Sequence, residues 1–217
     1  MGVGAVVRRA FGPYEKQVSE LWRSIFLDLA DWTATLQRWQ PAPRRILELG
    51  CGEGYSTELL VAAFPDARID AIDIAGNLGR LYNGPPGRVN FRKIYAEQLA
   101  LEAPAAFDLV ILSDVLHHVP VSARASLLRA IGQLVAPGGV LAFKDWSRDY
   151  SPVYWLAWGA DRFLAGDRVA FLTPAEARAL LEQAYGEDCV TAEATIAPQT
   201  NNYAFRIVPA GGAAPAA

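Results

Sequence analysis

Three glycines at every second position, Gly50, Gly52 and Gly54, stand between a short apolar run and a helical one. Upstream, Arg45-Ile46-Leu47-Glu48-Leu49 has the length of a buried strand rather than a helix. Downstream, Tyr55 to Phe64 reads as a helix closed by Pro65 and Asp66. Glycines at such a junction let the backbone turn tightly and let a ligand approach the main chain. A strand that turns directly into a helix opens a βαβ unit, which restricts the chain to folds built on a parallel sheet.

The rest of the chain keeps that alternation. Arg68 to Asp73 predicts a second strand, and Val89 to Ile94 a third after the Gly84-Pro85-Pro86-Gly87 turn. Phe107 to Leu112 predicts a fourth, nearly all apolar as for a strand buried on both faces. Ser122 to Val135 predicts a helix with Ser122 as its N-cap, stopped at Pro137-Gly138-Gly139 before a fifth strand over Val140 to Lys144. Thr173-Pro174-Ala175-Glu176 has the form of a capping box with proline at the first helical position, opening a helix to about Tyr185. Cys189 to Thr195 and Tyr203 to Val208 predict two last strands at an antiparallel edge. The expected fold class is α/β: a Rossmann-like, seven-stranded, mostly parallel sheet with helices on both faces and an antiparallel last strand. Tyr14 to Gln40 predicts one or two helices, so residues 1–43 are read as an N-terminal helical cap. Residues 44–209 form the sheet domain, with an aromatic helical lid over 146–170, and the Ala/Gly/Pro tail 210–217 is expected to be disordered.

Composition narrows the function classes. The 217 residues suit one domain with an added lid, and a net charge of −3 argues against a nucleic-acid binder working by bulk positive charge. Cys51 and Cys189 show no CxxC spacing, so neither a disulfide framework nor a zinc site is expected, and this usage suits a reducing cytoplasm. No stretch reaches the length of a membrane span, and the first eleven residues match neither a signal peptide nor a myristoylation pattern.

The glycine loop itself admits three nucleotide-type readings. A Walker phosphate loop requires a lysine, and none follows Gly54. A dinucleotide fingerprint places its third glycine where Tyr55 stands. The run Glu48-Leu49-Gly50-Cys51-Gly52-Glu53-Gly54 resembles motif I of the class I S-adenosylmethionine-dependent methyltransferases. The resemblance continues in order and spacing. Phe107 to Val119, with its Leu116-His117-His118 ending, looks like the family's fourth-strand motif. Leu134 to Leu141, through Pro137-Gly138-Gly139, looks like its turn into the fifth strand. The similarity covers about Arg44 to Lys144.

The resemblance implies S-adenosyl-L-methionine as cofactor and a role for each matching residue. Glu48, Gly50 and Gly52 border the methionine portion, with Cys51 and Ser113 also in the cofactor site. Asp73, ending the second strand about twenty residues after the loop, holds the ribose hydroxyls, and Ile74 packs on the adenine. The family's Gly-Asp-Ala-Glu after the third strand is here Ile94-Tyr95-Ala96-Glu97. Tyr95 stacking and the Ala96 backbone therefore replace the usual acid at the adenine. His117 and His118 are candidate bases, with His118 narrowly ahead, since imidazole titrates near neutral pH and both lie past the fourth strand's ligand end. The bland alternative for them is a structural helix start.

Asp145 to Val169 breaks the alternation and is rich in aromatic residues. Its rings either form a simple lid core or line an apolar pocket, with Trp22, Phe26, Trp32 and Trp39 of the N-terminal helices as the opposite wall. Trp22, Lys144, Trp146, Tyr154 and Trp155 are the candidate acceptor contacts, and no metal is expected. Lys144 and Asp145, ending the fifth strand on the ligand side, either touch the acceptor or pair with each other, and Asp114 is read as a cap of the short helix after it. The reading is methyl transfer to an O, N or C nucleophile of a small apolar or aromatic acceptor, of natural-product or quinone-like type. A binding protein without transfer activity, and an enzyme using the same cofactor for cyclisation or decarboxylation, stay open. The expected partner is that small acceptor, with neither nucleic acid nor integral membrane association, and a homodimer as an open option.

Overall fold

In the computed structural model, residues 27–159 and 169–209 are described. The described chain begins with helix α1 (Leu29–Trp39), whose N-cap Asp28 accepts hydrogen bonds from the Ala30 and Asp31 N–H groups. Then follow β1 (Arg45–Leu49), α2 (Tyr55–Ala63), β2 (Arg68–Asp73), β3 (Val89–Lys93), α3 (Ala96–Glu102) and β4 (Phe107–Ser113). A 3₁₀ turn (Leu116–His118), α4 (Val121–Leu134), β5 (Val135–Trp146), α5 (Pro152–Gly159), α6 (Pro174–Tyr185), β6 (Val190–Thr195) and β7 (Asn202–Ile207) complete it.

The seven strands form one sheet in the order β3-β2-β1-β4-β5-β7-β6. The first five are parallel, and β7 runs antiparallel between β5 and β6. Alternation along each strand sends side chains to two cores. On one face Leu47, Val110 and Leu112 pack with Leu128, Ile131 and Leu181 of α4 and α6. On the other, Ile46, Leu109 and Ile111 pack with Trp32 and Leu36 of α1 and Leu60 of α2. Each such side chain fully withdrawn from water contributes roughly 1.5–3 kcal/mol. Strand order reverses between β1 and β4, and a sheet of this kind opens a crevice at the carboxyl ends of those strands.

The seven-stranded sheet, its parallel and antiparallel parts and the Thr173–Glu176 capping box agree with the sequence reading. Three local features differ. Helix α4 starts at Val121, so Ser122 lies inside it and makes no cap. Pro120 already provides the extended N-cap backbone, and its carbonyl accepts the Ala123 N–H at 2.8 Å. Strand β5 begins at Val135, directly after α4, and a register shift between Phe107 and Leu109 absorbs the Pro137-Gly138-Gly139 turn. Helix α3, which follows Tyr95, was not anticipated; it buries Ala96, Leu99 and Ala100. Trp22, most of the expected N-terminal cap, lid residues 160–168 and the tail from residue 210 lie outside the described residues.

Candidate functional site

The glycine loop leaves β1 with left-handed backbone at Gly50 (φ +75°), Gly52 (φ +50°) and Gly54 (φ +85°). The N–H groups of Gly50 and Cys51 both donate to the Ile72 carbonyl, at 2.8 and 3.2 Å, fastening the loop to the end of β2. A Cβ at Gly50 would stand 2.2 Å from Cγ2 of Val115, in the loop after β4. Gly50→Ala is therefore expected to lower stability by about 1–3 kcal/mol through backbone strain, with the clash added. Adding Val115→Ala removes the clash but not the strain, so urea unfolding of the double variant should show partial recovery. At Gly52 a Cβ would meet nothing nearer than Asp73 Oδ2, at 4.0 Å, so the main chain there faces open space.

Two carboxylates frame this loop. Asp73 accepts the Gly52 N–H on Oδ2 at 2.7 Å and the Ala75 N–H on Oδ1 at 2.8 Å. These bonds aim its carboxylate along the loop and leave further lone pairs for a ligand. Glu48 is buried at the end of β1, where it accepts Ser56 Oγ at 2.6 Å and Thr57 Oγ1 at 2.5 Å. The two hydroxyls come from the first turn of α2, so Glu48 joins the two sides of the loop. Burial pushes its carboxyl above the usual range; the hydroxyl bonds oppose the shift but do not cancel it.

The linkage sign follows. The folded state holds a proton on Glu48 more readily than the unfolded chain, so ionisation at neutral pH costs stability, and that cost disappears as pH falls through the raised value. Glu48→Gln keeps partners for both hydroxyls and removes the charge. It is expected to raise Tm at pH 8 by roughly 2–4 °C, the shift about 1 kcal/mol produces in a chain of this size. The gain should shrink in melting curves taken toward pH 4.

The ends of β4 and β5 supply the opposite side, with Ser113 level with Lys144 in their parallel register. Asp114 follows with φ +57°, an uncommon conformation for a residue other than glycine. Each of its carboxylate oxygens accepts a hydrogen bond from the Lys144 ammonium, at 2.7 and 2.8 Å, and the Lys144 side chain is wholly buried. Asp145, the next residue on β5, faces the other way, and its Oδ1 lies 2.5 Å from His117 Nδ1. Both groups are buried. The same oxygen accepts the Trp146 N–H at 2.8 Å. Burial alone would raise the Asp145 carboxyl, but His117, the Trp146 N–H and Lys144 hold it below the ordinary aspartate range. The anion fixes the tautomer: Nδ1 carries the hydrogen and Nε2 the lone pair. The His117 ring also stacks on Phe171, with centroids 4.5 Å apart.

These groups meet at a cavity of about 440 Å³, inside the range of small-molecule sites. Glu48, the loop from Gly50 to Glu53, Ser113, Asp114, His117 and His118 form its polar side, and Leu29, Trp32, Trp146 and Phe171 its apolar side. Cys51 lines it as a thiol, since burial raises its pKa strongly. The predicted residues therefore separate. Glu48, Gly50, Cys51, Gly52, Ser113, His117, His118 and Trp146 converge on the cavity wall. Asp73 adjoins the loop, while Ile74 and Tyr95 are each 58% exposed and Ala96 is buried at the start of α3. Lys144 lies beneath Asp114 rather than on the wall. Tyr154 is buried edge-on against Phe171, and Trp155, half exposed, turns outward. Phe171 was not anticipated at the site, Lys144 pairs with Asp114 rather than with Asp145, and Asp145 meets His117 instead. Among the described residues no group of three His, Cys, Asp or Glu side chains is placed to hold a metal ion, and no helix is long and apolar enough to cross a membrane.

Comparison with known proteins agrees with this geometry. A family model described as a methyltransferase domain matches residues 14–190. A ubiquinone biosynthesis O-methyltransferase from Aromatoleum aromaticum is 32% identical over 153 residues, 66% of this chain and 64% of that protein. A trans-aconitate 2-methyltransferase from Methylobacterium nodulans is 42% identical over 102 residues, 46% of this chain and 38% of that protein. The chain thus spans less than two thirds of the length of these curated relatives. Among solved structures, the 1,6-didemethyltoxoflavin-N1-methyltransferase of Burkholderia thailandensis, determined with bound 1,6-didemethyltoxoflavin and S-adenosylhomocysteine, has the same fold. Its TM-score is 0.66 at 19% identity, over 94% of this chain and 88% of that one. With the family match running across most of its length, the chain belongs to the methyltransferase-domain family, in the class I S-adenosylmethionine-dependent group.

Proposed function

We propose that the protein transfers a methyl group from S-adenosylmethionine to a hydroxyl oxygen of a small aromatic acceptor. The observation that carries this reading is the buried contact between Asp145 and His117, whose ring lines the cavity that starts at the glycine loop. The loop suits the cofactor. Its main chain at Gly52 is open to close approach, and two acids, Glu48 and Asp114, face a ligand that carries a sulfonium and an ammonium group. Glu48, Gly50, Cys51, Gly52 and Ser113 would hold the methionine portion, Asp73 the ribose, and Ile74, Tyr95 and the Ala96 backbone the adenine. When bound, the cofactor supplies an electrophilic methyl group.

The chain's own residues do the rest. Trp32, Trp146 and Phe171 offer an apolar wall for a flat acceptor and exclude water from it. His117 Nε2 takes the hydroxyl proton as the oxygen becomes a nucleophile. Asp145 keeps Nδ1 as the donor and stabilises the imidazolium that forms. Alignment of the two reactants can account for about 7–11 kcal/mol of barrier lowering. A base is dispensable for an amine or carbon nucleophile that has already lost its proton, so a built base favours oxygen. Residues 1–43 and 146–170 are read as the cap and lid that bound the acceptor space.

The test is incubation with methyl-labelled S-adenosylmethionine and three acceptor sets: simple phenols, catechols and anilines. Label transferred to a phenolic oxygen, and lost in His117→Asn, supports the reading. Label on anilines alone overturns the oxygen assignment. Cofactor binding without transfer to any set favours a binding protein, and an altered acceptor of unchanged mass favours cyclisation.

A further inference from the structure

Arg124, in the first turn of α4, is only 3% exposed although it carries a guanidinium. Withdrawing that cation from water is costly, and burial lowers its pKa. Its described hydrogen bonds go to main-chain carbonyls. Nε donates to Val119 O at 3.1 Å, at the end of the histidine turn, and Nη2 donates to Ala170 O at 2.6 Å. Ala170 is held from its other side as well, because its N–H donates to the His117 carbonyl at 2.8 Å. The next residue, Phe171, is the one stacked on the His117 ring, and it lines the cavity. Leu172 then accepts the Arg148 N–H at 3.2 Å and bridges to Ser147 just past β5. Residues 170–172 are thereby fastened at successive positions to the turn that carries His117 and to the end of β5 that carries Asp145.

We propose that Arg124 is a positioning residue for the base: it latches Ala170 to the histidine turn, so that Phe171 holds the His117 ring in line with Asp145. Two carbonyls from segments far apart in sequence point at one rigid, fork-shaped donor, a geometry that a guanidinium serves and an ammonium does not. The proposal extends the methyl-transfer reading, since the held ring is the base of that reaction. Its test needs no acceptor and stands or falls separately from that reading.

Arg124→Met removes both bonds, and Arg124→Lys keeps a buried cation that cannot span both carbonyls. Two measurements on the full chain decide the matter: amide hydrogen exchange, and proton NMR of the His117 Nδ1–H. The chain has two histidines, so His118→Gln assigns the ring signal. The expected result is that the Ala170 amide exchanges at least roughly tenfold faster in both variants, the factor carried by a lost charge-assisted hydrogen bond. Amides of β1 and β4 keep their protection, and the His117 ring-proton signal broadens or disappears. Equal acceleration at every strand amide would reduce Arg124 to a general stabiliser and overturn the proposal. So would an unchanged Ala170, or a loosened Ala170 with an unchanged ring signal. Should Arg124→Met fail to fold, Arg124→Lys carries the same readouts.

Discussion

Asp145→Asn is expected to slow turnover by at least roughly a hundredfold, the lower end of what a positioned base contributes, while leaving S-adenosylhomocysteine binding intact. Asp145 Oδ1 receives both the His117 ring and the Trp146 N–H. An asparagine can keep its oxygen in that place and so keep the ring tautomer. What it cannot keep is the negative charge that, in the proposed reaction, would stabilise the imidazolium formed when the acceptor gives up its proton. The loss should therefore fall on kcat rather than on acceptor KM. The pH profile gives a second check. Attraction to His117 helps hold Asp145 ionised. Asparagine removes that charge from the ring's surroundings, so the pH profile of kcat should differ from that of the wild type. An unchanged profile with full activity would remove His117 from the reaction.

Asp73→Ala is expected to weaken S-adenosylhomocysteine binding by at least roughly a hundredfold, because two or more charge-assisted hydrogen bonds are lost together. The carboxylate acts twice. In the proposed site its remaining lone pairs would take the ribose hydroxyls, and it accepts the Gly52 and Ala75 N–H groups that shape the loop. Asp73→Asn separates the two roles, since its amide oxygen can still accept one backbone bond. Calorimetry on both variants should rank them wild type, then asparagine, then alanine. Equal affinity across the three would mean that the ribose is held elsewhere.

The sheet and the glycine-loop side of the cavity were legible because their signals are local. A five-residue apolar run, glycines at alternate positions and an acid closing the next strand lie within Arg45 to Asp73, and chain order alone makes them neighbours. The acceptor side depends on topology. Asp145 and His117 lie 28 residues apart and meet only because β4 and β5 pair side by side, bringing their carboxyl ends together. Adjacency in sequence pointed instead to Lys144 with Asp145, yet strand alternation sends neighbours to opposite faces, where each finds a different partner. Phe171 sits in a segment with no periodicity, so nothing in the sequence marked it as a wall of the site. For the same reason, the aromatic run over 146–170 could not say that Trp146 turns inward and Trp155 outward.

The Lys144–Asp114 pair has a consequence for how this chain can vary. Lys144 is sealed from solvent and Asp114 takes its ammonium with both carboxylate oxygens. Losing Asp114 alone strands the sealed Lys144 ammonium, whereas losing Lys144 alone leaves Asp114 about a third exposed and in reach of solvent. The two sites are therefore epistatic in one direction. In a mutational library, loss of the Asp114 charge should be tolerated only in chains that have already lost the Lys144 charge, so the order of change matters.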